Sequence, residues 1–88
     1  MGELSKLPNI SKVNERKLME AGIEGPEQLI AIGSREALLR VRSKSDPGAC
    51  LNMLYALEGA IRGIRWHDLP DEVKVELKEF HHGLGWES

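Results

Sequence analysis

The chain has 88 residues, of which 41% are hydrophobic and 30% charged, with a formal net charge of −2. That length makes one domain, residues 1–88, with no room for a second core. A single cysteine excludes an intrachain disulfide, no apolar run is long enough to span a bilayer, and the slight acidity is not the footprint of a non-specific nucleic-acid binder.

The charge is unevenly spread. Residues 1–34 sum to −1, residues 35–66 to +3 and residues 67–88 to −4. A basic band therefore stands out: Arg35, Arg40, Arg42, Lys44, Arg62 and Arg65. It reads either as an ordinary solvated surface or as a phosphate-facing patch.

Met1 to Lys6 is a polar lead, frayed or a single turn, with Leu4 as its only large apolar group. The opening MGELSKLPNI lacks the apolar core of a signal peptide. Together with the lone cysteine this predicts a cytoplasmic protein. Leu7-Pro8-Asn9-Ile10-Ser11 is a turn, and Asn9 or Ser11 can cap the helix that follows. That helix runs roughly from Lys12 to Ala21, with Ile10, Val13, Leu18 and Ala21 inward. Gly22 stops it, and Ile23 folds back onto its last turn.

Pro26 opens a short helix to about Ile32, with Leu29, Ile30 and Ile32 inward. Gly33 ends it. Ser34 caps the next helix, Arg35 to about Arg42, which buries Ala37, Leu38 and Val41.

The central element is predicted over Asp46 to about Ile64, with Asp46 as cap and Pro47 at the first helical position. Cys50, Leu54, Leu57, Ile61 and Ile64 recur at steps of three and four and form one apolar face. Cys50 there is a buried small hydrophobe. The opposite face carries Asn52, Ala56, Gly59 and Gly63 beside Tyr55 and Arg62. Each interior glycine costs about 1 kcal/mol relative to alanine, so something packs closely there. That something is either a second copy, giving a homodimer through Tyr55, Ala56, Gly59, Arg62 and Gly63, or the first helix of the same chain.

Trp66 plugs a core edge in a non-periodic link. Pro70 opens the last helix, with Asp71 and Glu72 favoured in its first turn by the helix dipole. Leu69, Val73, Leu77, Phe80 and Leu84 make its apolar stripe, and Gly83 ends it. Trp86-Glu87-Ser88 is a tail. Nothing alternates with a period of two, so the fold class is all-α, five helices with short connections.

No chemistry-bearing motif appears. There is no nucleophile elbow, phosphate loop or dinucleotide fingerprint. His81 and His82 are adjacent and point about 100° apart on a helix, and no histidine pair has the three- or four-residue spacing a helical zinc site needs. No catalytic residue, metal or cofactor is expected.

Leu7 to Ile23 resembles the hairpin and second helix of a helix-hairpin-helix module, whose usual text is LPGIG before a helix ending AGI. There the glycines let backbone N–H groups meet a DNA phosphate. Here Asn9 and Ser11 stand at both glycine positions. The candidate nucleic-acid contacts are Asn9, Ser11, Lys12, Arg35, Arg40, Arg42, Arg62 and Arg65.

The chain as a whole resembles the C-terminal domain of TfoX, also called Sxy, a regulator of competence for DNA transformation. The matching stretches are Leu7-Pro8-Asn9-Ile10, Glu20-Ala21-Gly22-Ile23, Pro26-Glu27-Gln28-Leu29, Gly33-Ser34-Arg35-Glu36-Ala37, Leu54 to Ala60 and Gly63 to His67. The resemblance implies a helical domain related to helix-hairpin-helix modules, with a transcription-regulatory association and no established catalytic residues. In longer members the domain follows an N-terminal one. Two functions are expected from this: a non-enzymatic regulatory or protein-interaction module with a partner the sequence does not name, or a weak, non-sequence-specific binder of the DNA backbone.

Overall fold

The computed structural model describes residues 3–84. Met1, Gly2 and Gly85 to Ser88, with the expected tail Trp86-Glu87-Ser88, lie outside the described residues. Among the described residues every regular element is helical. They are α1 (Lys12–Glu20), α2 (Pro26–Lys44), α3 (Leu51–Arg62) and α4 (Asp71–Gly83), with single 3-10 turns at Leu4–Lys6 and Trp66–Asp68.

The expected five helices are four. Pro26 opens α2, and the helix runs on to Lys44 through a kink at Gly33 (φ 85°, ψ 166°), a backbone only glycine adopts without strain. The chain turns at Gly33 and resumes its helix at once, so two expected helices become one bent one. Ser34 is buried there, and its hydroxyl donates to Glu58 Oε1 at 2.6 Å.

The central helix also starts later than expected. Asp46 caps nothing. Its Oδ1 accepts from Gly48 N (2.9 Å), its backbone carbonyl from Ala49 N (3.0 Å), and its Oδ2 from Lys17 Nζ (2.7 Å). These bonds close a turn over Pro47 and leave Cys50 as the extended residue before α3. Cys50 is consequently exposed rather than part of the buried stripe. At the other end Gly63 takes the left-handed conformation (φ 75°), and Ile64 N donates back to Gly59 O at 2.9 Å. That stops α3 at Arg62.

Leu54 and Leu57 of α3 are fully buried, with α2 against one side and α4 against the other. Leu18, Ile23, Leu29, Leu38, Val41 and Leu77 complete the centre of the core. Burying each such side chain contributes about 1.5–3 kcal/mol. Leu4 joins them with no exposure, so the polar lead is anchored, and Ser5 N donates to Glu15 Oε2 (3.1 Å). Val13 and Ile30, expected inward, are 62% and 53% exposed. Val13 is five residues from Leu18, about 140° round the helix, so both cannot face the core. Ser11 caps α1 as expected, accepting from Asn14 N at 3.1 Å.

Candidate interaction site

The site begins at the turn before α1. Asn9 is the one non-glycine residue with positive φ (70°) among the described residues, a conformation its short polar side chain tolerates. Its carboxamide points into the protein. Nδ2 donates to Ile64 O (2.9 Å) and to Ala56 O (3.4 Å), and Oδ1 accepts from Trp66 N (3.1 Å). One side chain thus satisfies the Ile64 carbonyl and the Trp66 N–H of the link after α3, and adds a long second contact to the Ala56 carbonyl inside the helix.

Gly59 makes the room. A Cβ there would lie 2.5 Å from Asn9 Nδ2, 2.8 Å from Ile64 O and 3.1 Å from Trp66 N. Ala56 and Gly59 are buried beneath these groups. At Gly59 the small-residue groove is therefore filled by the chain itself, through the Asn9 turn and the link rather than helix α1. Gly63 remains exposed, Arg62 is exposed and Tyr55 is half-buried.

Trp66 covers the core edge beside this turn. It stacks on Tyr55 (centroids 5.6 Å apart, planes 9° apart) and on His67 (3.9 Å, 28°). Lys74 Nζ donates to His67 O (3.1 Å) and lies 5.8 Å from the Trp66 ring. These contacts tie the link to both α3 and α4.

The second centre is Glu58. Its carboxylate accepts from Ser34 Oγ and from Arg62 Nε, each at 2.6 Å. Burial works to raise its pKa. The two hydrogen bonds, with the charges of Arg62 and Arg35, outweigh that and hold the carboxyl below its ordinary range. Arg35 is exposed, with its guanidinium 5.7 Å from the centre of the Phe80 ring.

The structure brings some of the expected contact residues together and separates others. Arg62 is bonded to Glu58, while Arg35 lies over the Phe80 ring and contributes only its charge to that carboxylate. Arg40 is tied to Glu36 on its own helix (3.0 Å). Arg42 is half-buried and acts on His81, whose pKa is lowered first by burial and then by Arg42 and His82. Arg65 and Lys12 are exposed, Ser11 is engaged as a cap and Asn9 faces inward. Sequence reasoning missed Glu58 as a centre. The four-residue spacing from Glu58 to Arg62 was a visible signal, but the Ser34 contact spans 24 residues and had none.

An open groove of about 850 Å³ runs between the start of α3 and the last turns of α4, lined by Leu51, Val75 and Gly83 among others. Among the described residues no group of three or more His, Cys, Asp or Glu side chains is placed to hold a metal ion. None of their helices is long and apolar enough to cross a membrane.

Two solved structures from Listeria monocytogenes share this architecture. One, an uncharacterized protein in a triclinic crystal form, is 53% identical, with a TM-score of 0.89 over 92% of this chain and 91% of its own. The other, a protein of unknown function in a tetragonal form, is 52% identical, with a TM-score of 0.89 over 93% and 99%. No curated protein matches the chain. The model of the TfoX C-terminal domain matches residues 1–81, and the chain accordingly belongs to the TfoX C-terminal domain family.

Proposed function

We propose that the chain is a non-enzymatic regulatory or protein-interaction module, serving transcription regulation of the kind the TfoX family exerts on competence. The observation that carries this reading is the orientation of Asn9. In a helix-hairpin-helix module that turn offers backbone N–H groups to a phosphate. Here its side chain is engaged on Ile64, Ala56 and Trp66 of the same chain. The slightly acidic charge adds to this, because non-specific DNA binding draws its affinity from excess cations.

A second reading keeps one observation in its favour. Ser11 and Lys12 stand exposed at the start of α1, where a helix-hairpin-helix module would meet the DNA backbone. Cross-linking in the native cell followed by mass spectrometry separates the two. The interaction module predicts a specific protein partner at defined residues. Recovery of cross-linked DNA without any protein would favour the second reading.

A further inference from the structure

We draw no further inference here: the strongest candidate, the open apolar groove between the start of α3 and the last turns of α4 lined by Leu51, Val75 and Gly83 among others, carries nothing because nothing in the structure shows what covers it.

Discussion

Asn9 and Gly59 fit together as a side chain and the space cut for it. They are fifty residues apart in sequence, yet a Cβ on Gly59 would come within 2.5 Å of Asn9 Nδ2. The interior glycine of α3 is explained by this contact. Its helix-propensity cost of about 1 kcal/mol is offset by the backbone groups that Asn9 satisfies.

Gly59→Ala should therefore destabilise the domain, although alanine is the better helix former. The new methyl group also meets Ile64 O at 2.8 Å, a backbone atom that cannot rotate away. A net loss of about 1–3 kcal/mol is expected in urea denaturation. Asn9→Gly keeps the left-handed backbone but removes the carboxamide, and should cost about 1–3 kcal/mol through the unpaired groups it leaves. Stability equal to wild type in both variants would show that the turn does not seat on α3.

Leu57 is fully buried in the middle of α3. Leu57→Ala should lose about 2–5 kcal/mol, by transfer and by the cavity left behind. For a domain of this size that is a large share of the total stability. A melting temperature within a degree or two of wild type would contradict the packing described.

Glu58 sets a pH dependence. Its folded pKa lies below the ordinary glutamate value. The stabilisation it contributes is present above that ordinary value and is lost as pH falls through the folded pKa. Stability should thus decline on acidification below the ordinary glutamate range. Glu58→Gln should flatten that part of the curve, as read by denaturation at a series of pH values. An unchanged acid limb in the variant would show that other carboxylates carry the effect.

Much of the fold was legible in local signals. Ser11 before the first helix and the three-residue step from Leu54 to Leu57 are properties of neighbouring residues, and both hold, while Cys50 and Ile64 at the ends of the same stripe fall outside α3. Asp46 misled because a cap and a turn use the same side-chain oxygen. Gly48 claims Oδ1 for the turn, and Lys17, far away in sequence, holds Oδ2. Leu4 was hidden by its polar neighbours, since one buried leucine has no period. The site was the least legible part. Asn9 reaches partners 47 to 57 residues away, and its inward direction is set by tertiary contacts that no spacing encodes.

The central claim is that the turn before α1 serves the fold and not a phosphate. Titrating the ¹⁵N-labelled chain with a DNA duplex, at low and at physiological salt, tests it most directly. The account predicts at most weak shifts at the exposed basic residues, vanishing as salt rises, with the amides of Asn9 to Lys12 unmoved. Saturable shifts at Asn9 to Lys12 that persist at physiological salt would contradict it.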